Sequence, residues 1–169
     1  MTLDFFGLFD YTSGDGDIYE YTATEFNTIL KAITGNGVVK DSGNEMAITA
    51  NGLTISVDTG IAFCEGRIGQ LKAAKTLTLD AAAADTRTDL IVMRVDVANR
   101  LVSIEAKKGT TALTQTEMIY EIPLAEVAVA ADGTTTITDK RQFIYTPKQV
   151  MTKMNNITAG TETVYARYA

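Results

Sequence analysis

The chain has no histidine and no tryptophan, and only one cysteine and two prolines among its 169 residues. Without histidine, both the commonest general base and the commonest metal ligand are missing. Cys64 alone builds neither an intramolecular disulfide nor a thiolate metal cage. Lying in Ala62-Phe63-Cys64 with no base to activate it, this cysteine reads as a small buried hydrophobe. No Gly-x-Ser-x-Gly elbow supports serine catalysis. Positive charge is in deficit: 15 Lys and Arg against 21 Asp and Glu give a net charge of −6, which argues against a nucleic-acid footprint. No run approaches the roughly 18 apolar residues of a membrane span. The N-terminus carries Asp4 and lacks the basic, then apolar, pattern of a secretory signal. The expectation is a protein made in the cytoplasm, with no membrane insertion, no nucleic-acid partner, no cofactor and no metal.

What is present is a composition ordinary for one globular domain, 46% hydrophobic and 21% charged. Aromatic residues are unevenly spread. Phe5, Phe6, Phe9, Tyr11, Tyr19, Tyr21 and Phe26 crowd the start, and none occurs between Cys64 and Tyr120. Residues 1–21 therefore read as an aromatic-rich arm, broken at Ser13-Gly14-Asp15-Gly16-Asp17. Such an arm either packs on its own domain or anchors on a neighbouring subunit through Phe5, Phe6 and Phe9. Asp15, Asp17 and Glu20 lack the spacing of a calcium loop and read as a polar turn.

The periodicity predicts one helix over Thr22 to Ile33, opened by a Thr22/Glu25 capping box and closed at Gly35 or Gly37. Phe26, Ile29, Leu30 and Ile33 share one face, a stripe expected to pack into the domain's own core. From Glu45 onward the period falls to two. Asn51-Gly52 signals a hairpin, Ile61 to Glu65 and Thr76 to Leu79 read as strands, and Ala81 to Ala84 as a loop or single helical turn. Leu90 to Val97 and Leu101 to Lys107 form a central hairpin around Ala98-Asn99. The first of these strands is apolar on both faces before Arg94 and Asp96 emerge on one of them. Ile122 and Leu124 differ in parity from Val127 and Val129, which requires a β-bulge near Ala125-Glu126 or burial on both faces. The fold class is mainly β: a sandwich or barrel-like platform with one N-terminal helix and a short C-terminal helix and strand extension. The organisation is an arm (1–21), a helix plus β-rich platform (22–145) and a docking or oligomerisation extension (146–169). In that extension Thr146-Pro147 starts a helix with Val150, Met151, Met154 and Ile157 on one side, and Thr163 to Tyr168 alternates like a strand.

Paired carboxylates are the remaining chemistry, and Glu65, Asp85, Asp89, Asp96, Glu105, Glu121, Glu126 and Asp139 supply candidates. Most fall on outward strand positions or turns, where solvation is the default and no catalytic pair is expected. Asp89, Asp139 and Arg141 read instead as structural ion pairs at strand ends, with Asp89 or Asp139 held by an arginine.

Several segments together resemble the platform domain of bacteriophage tail and baseplate appendage proteins. They are Gly16-Asp17-Ile18-Tyr19, Thr24 to Val38, Gly60 to Gly66, Thr88 to Arg94, Lys108-Gly109-Thr110, Glu121 to Val127 and Thr138-Asp139-Lys140-Arg141. The resemblance covers roughly Asp15 to Arg141. It implies a location in the virion and attachment at the tail tip. Only a short segment follows Arg141, so the expectation is assembly rather than receptor binding. The leading reading is a non-enzymatic tail-tip or baseplate subunit whose partners are itself, as a homotrimer or larger ring, and other tail proteins. Contacts are expected at Phe5, Phe6, Phe9, Val150, Met151 and Met154. The alternatives are an adhesin for a host-surface glycan, a carboxylate glycan hydrolase, and a head fibre base or neck subunit.

Overall fold

The computed structural model describes the backbone of residues 23–158 and the side chains of residues 23–152. Helix α1 (Ala23–Thr34) leads into β1 (Gly37–Val39), then a hairpin of β2 (Ile48–Asn51) and β3 (Thr54–Val57). A second hairpin, β4 (Gly60–Cys64) and β5 (Arg67–Leu71), is followed by β6 (Lys75–Thr78). The third hairpin pairs β7 (Arg87–Asp96) with β8 (Leu101–Lys107), and the long β9 (Ile119–Val129) comes next. β10 (Thr135–Asp139), β11 (Phe143–Ile144) and α2 (Pro147–Thr158) complete the described chain. The strands form three sheets, ordered β11-β1-β4-β5, β10-β9-β7-β8 and β2-β3-β6. None closes into a barrel, so of the two expected architectures the fold is the sandwich-like one.

The core lies between β9, β7 and β8 on one side and the other two sheets on the other. Ile91, Met93 and Val95 of β7 and Ile122, Leu124 and Val127 of β9 meet Val38, Ile55, Val57 and Ala62 there. β7 behaves as its pattern predicts: Asp89 through Met93 are buried, and Arg94 and Asp96 are half-exposed. The parity switch in β9 has the expected cause. Ile91 pairs with Ala125 and Val92 with Pro123, so Leu124 is the extra residue of a bulge. The bulge turns both parities of β9 inward, and Ile122, Leu124, Ala125, Val127 and Val129 are all buried. It also accommodates Pro123, which has no N–H to give a ladder and lies beyond the last residue paired with β10. The freed Leu124 carbonyl accepts from the Lys140 N–H at 3.0 Å.

Two local expectations shift. Asn51 pairs with Thr54, so the β2–β3 turn is centred on Gly52-Leu53 rather than Asn51-Gly52. Gly52 has φ +57°, and a glycine leading a two-residue loop is the natural solution there. The larger correction concerns α1. It ends where expected, with Gly35 at φ +72° and its N–H on the Lys31 carbonyl, but none of its residues is buried. Ile33 is 59% exposed, and Ile29 and Leu30 are half-buried. The apolar stripe is therefore not absorbed by the domain's core. Thr22, the first half of the predicted capping box, lies outside the described residues.

α1 docks by polar atoms and backbone instead. Glu65 at the β4–β5 turn forms an ion pair with Lys31 and accepts from Asn36 Nδ2 at 2.9 Å, and its own N–H donates to Asn36 Oδ1 at 2.7 Å. Glu65 and Gly66 both have positive φ, +51° and +73°. A Cβ on Gly66 would overlap the Asn27 carbonyl of the helix, so the backbones of α1 and the β4–β5 turn approach closely at this glycine. Gly66→Ala should therefore cost about 2–4 kcal/mol in urea unfolding, through left-handed strain plus displacement of α1. Gly52→Ala, with nothing near its Cβ, should cost only about 1 kcal/mol. Equal losses at the two positions would refute the close-approach account.

Candidate functional site

A buried, fully hydrogen-bonded polar site surrounds Glu121. Register opposes Arg94 to Glu121 across the β7–β9 ladder, and β8 supplies Lys107 from the other side of β7. Arg94 donates to Glu121 Oε1 from Nε at 2.8 Å and from Nη2 at 2.5 Å. Lys107 Nζ donates to Oε2 at 2.7 Å, and the Thr114 N–H reaches the same oxygen at 2.6 Å. Lys107 also donates to the Ala112 carbonyl, and Gln115 Nε2 to the Glu121 carbonyl, both at 2.6 Å. These bonds fold the segment between β8 and β9 over the outer face of the sheet, which is why Glu121 is 1% exposed. Burial disfavours the charged carboxylate, but Lys107, the Thr114 N–H and Arg94 together outweigh it and hold Glu121 below the usual carboxylate range.

A second cluster stands at the start of β7. Asp89, also 1% exposed, accepts from Arg87 Nε at 2.7 Å and Nη2 at 2.9 Å, and from the Gly109 N–H at 2.7 Å. Burial opposes its ionisation, yet Arg87 and Gly109 leave its carboxyl lowered. Its arginine is Arg87 of its own strand, because β7 residues two apart share a face. Asp139 pairs with Arg141, which donates to it from Nε at 3.0 Å and Nη2 at 2.6 Å. Arg141 Nη1 also donates to the Glu45 carbonyl at 2.7 Å. That bond fastens the chain after β10 to the loop whose Met46, at φ +51°, fills the core.

Glu121 departs from the expectation of solvated acids, whereas Glu65, Asp85, Asp96, Glu105, Glu126 and Asp139 are not buried. Asp89 and Glu121 are buried, and every buried side-chain nitrogen or oxygen among the described residues has a partner. Glu105 and Glu121 share Arg94, with Arg94 Nη1 at 2.6 Å from Glu105, but the Glu121 oxygens are filled by donors. Two donors on each oxygen commit the Glu121 carboxylate to fixing strands. Sequence reasoning did not find Arg87, Arg94, Lys107 or Thr114 as partners. The signal was Arg94 opposite Glu121, visible only once the bulge sets the register. Among the described residues no group of acids, cysteine and histidine is placed to hold a metal ion, and no helix is long and apolar enough to cross a membrane. Cys64 is buried, and burial pushes its thiol up to about 12.

The remaining surface is where apolar side chains reach solvent. Val150 and Met151 of α2 are exposed. This helix starts as predicted, with Pro147 first. Thr146 and Gln149 also cap it reciprocally: the Gln149 N–H donates to Thr146 Oγ1 at 3.3 Å and the Thr146 N–H to Gln149 Oε1 at 2.7 Å. Gln149 Nε2 ties it to the Lys40 carbonyl at 2.6 Å. Leu101, Val102, Ile68 and Met118 form further exposed positions. Phe5, Phe6, Phe9 and the strand expected at Thr163 to Tyr168 lie outside the described residues, as does the side chain of Met154.

The fold defined here is a mainly β, sandwich-like domain with a helix at each end of the described chain. No family model matches the chain, and no curated protein matches it. Among solved structures, it is similar to the gene 22 product of the Bacillus subtilis SPP1 phage, with a TM-score of 0.42 and 14% identity. The match covers 67% of this chain and 84% of that one.

Glu121→Gln should lower stability at neutral pH by about 3 kcal/mol, since it leaves Arg94 and Lys107 beside a neutral group. Because the folded carboxyl lies below its unfolded value of about 4.3, its contribution is complete above that pH. It is lost as pH falls through the lower folded value. The gap between wild type and variant should be full at pH 7 and shrink below about pH 4, read by urea midpoints across pH. A gap that widens on acidification would contradict the assigned charge state.

Proposed function

We propose that the chain is a non-enzymatic structural component of a phage virion, a tail-tip or baseplate appendage subunit. It assembles with copies of itself, as a homotrimer or larger ring, and with other tail proteins. The observation that carries the assembly reading is the contrast between interior and ends. Inside, polar groups are satisfied and the acids are committed to holding strands. Towards the C-terminal end, α2 presents Val150 and Met151 to solvent.

A helix of this length is marginal in water unless an apolar face is covered. The described body holds α2 through Gln149, a polar contact, and leaves those apolar residues for another surface. Met154 and Ile157 follow Val150 at spacings of four and three in the sequence, which continues the same seam. Repeated contacts of one kind close rings in rotationally symmetric particles. The tail location rests on the resemblance carried by Thr88 to Arg94, Lys108 to Thr110, Glu121 to Val127 and Thr138 to Arg141. Those segments are the ones that meet in the clusters above: Gly109 binds Asp89, and Arg94 binds Glu121.

Light scattering with negative-stain imaging of the purified chain should show trimers or rings. Val150→Asp with Met151→Asp should shift the population toward monomer. A monomer at every concentration would overturn the assembly reading. Deleting Met1 to Asp10 should abolish incorporation into tails, and unchanged incorporation would remove Phe5, Phe6 and Phe9 from the contact set.

A further inference from the structure

A groove of about 580 Å³ opens between the start of α1 and the β7–β8 turn. Its walls include Ala23 and Asn27 of α1, Arg67 of β5, and Arg100, Leu101 and Val102 at the start of β8. Leu101 is 53% exposed and Val102 37%, and β8 is the terminal strand of its sheet. Two cations flank this apolar wall. Arg67 lies 5.8 Å from the Tyr120 ring and donates to the Glu65 carbonyl at 3.2 Å, and Arg100 is exposed with no ion pair among the described residues. The one acid in the lining, Asp96, is turned to its own loop, accepting from the Asn99 N–H at 2.9 Å and its side-chain amide at 2.8 Å. The groove is therefore apolar with a cationic rim.

We propose that this groove receives the N-terminal arm, residues 1–22, of a neighbouring copy, with Phe5, Phe6 and Phe9 on the Leu101–Val102 wall and the arm's carboxylates facing Arg67 and Arg100. The proposal rests on the assembly reading above. Three features select this occupant. The arm matches the groove in charge: it carries Asp4, Asp10, Asp15, Asp17 and Glu20 and no Lys or Arg. It matches in chemistry, since clustered rings with few rotatable bonds are effective anchors in apolar pockets. Its reach allows a second copy. Phe9 stands 14 residues before Ala23, and an extended chain covers about 3.3 Å per residue, giving roughly 46 Å. A body of this size has a radius of gyration of about 14 Å. At full extension that reach exceeds the width of the domain, so the arm is long enough to place its rings on a neighbour's groove.

The test uses two differently tagged full-length populations, one with Leu8→Cys in the arm and the other with Ala98→Cys at the β7–β8 turn, mixed under mild oxidation. Cys64, buried and protonated, stays out of the exchange. A disulfide joining the two tags is expected. Arg100→Glu on the acceptor should lower its yield about tenfold, with recovery when Asp4→Lys and Asp10→Lys are placed on the donor. In a chain carrying both cysteines, intrachain disulfide at a rate independent of dilution would seat the arm in its own groove and overturn the proposal. Oligomers that persist with no arm-to-groove disulfide would overturn it while leaving the assembly reading in place. A chain monomeric at every concentration would remove both.

Discussion

A carboxylate withdrawn from water costs several kcal/mol unless donors replace what it loses, and Glu121 is the place where this fold accepts that cost. Its donors come from three separate parts of the chain: Arg94 on β7, Lys107 on β8 and the Thr114 N–H from the segment between β8 and β9. Satisfying one group thus fixes the relative position of three neighbouring strands and lays a connecting segment over the outer face of the sheet. A slip of one residue between β7 and β9 would point every side chain to the opposite face. Glu121 would then be left among the apolar residues of the core. Register is specified twice, by apolar burial on the inner face and by charge on the outer one.

The same logic runs through the other ion pairs. Asp89 ties the Lys108-Gly109 turn to the start of β7, and Arg141 ties the chain after β10 to the loop that carries Met46. Each joins segments distant in sequence, where apolar packing alone leaves the connection loose. Exposed ion pairs contribute little to stability, so the pairs that matter here are those sealed from solvent. The molecule covers the sheet face over Glu121 with its own connecting segment and fills both oxygens of that carboxylate with donors. Its exposed apolar side chains include Ile33 on α1, Ile68 on β5, Leu101 and Val102 on β8, Met118 before β9, and Val150 and Met151 on α2.

Much of the platform was legible because period-two alternation reports directly on strands with one buried face. β7 could be read residue by residue, and the bulge in β9 followed from a parity switch that no regular strand allows. β1, β5 and β11 were not legible. Gly37–Val39 and Phe143–Ile144 are too short for any period, and Arg67–Leu71 interleaves a glycine with polar residues. Gly69 leaves room there for Met93 and Val102, so a strand position is identified by what it lacks. The Glu121 cluster was illegible for a different reason. Its members are far apart in sequence, and an acid with outward parity looks solvated until the segment that covers it is placed.

Helix α1 shows where periodicity stops being informative. Spacing reveals which residues share a face, but not what covers that face. The domain holds α1 through Lys31, Asn36 and the close approach of Gly66 to Asn27, none of which belongs to the apolar stripe. A helix fixed by its polar side and by backbone contact leaves Ile33 more than half exposed. The end of α1 that the sequence joins to the aromatic arm also forms one wall of the groove beside Leu101. The polar docking of α1 therefore does more than hold a helix on a sheet. It sets the position of that wall, so the charges that look purely structural also define the shape of the surface open to a partner.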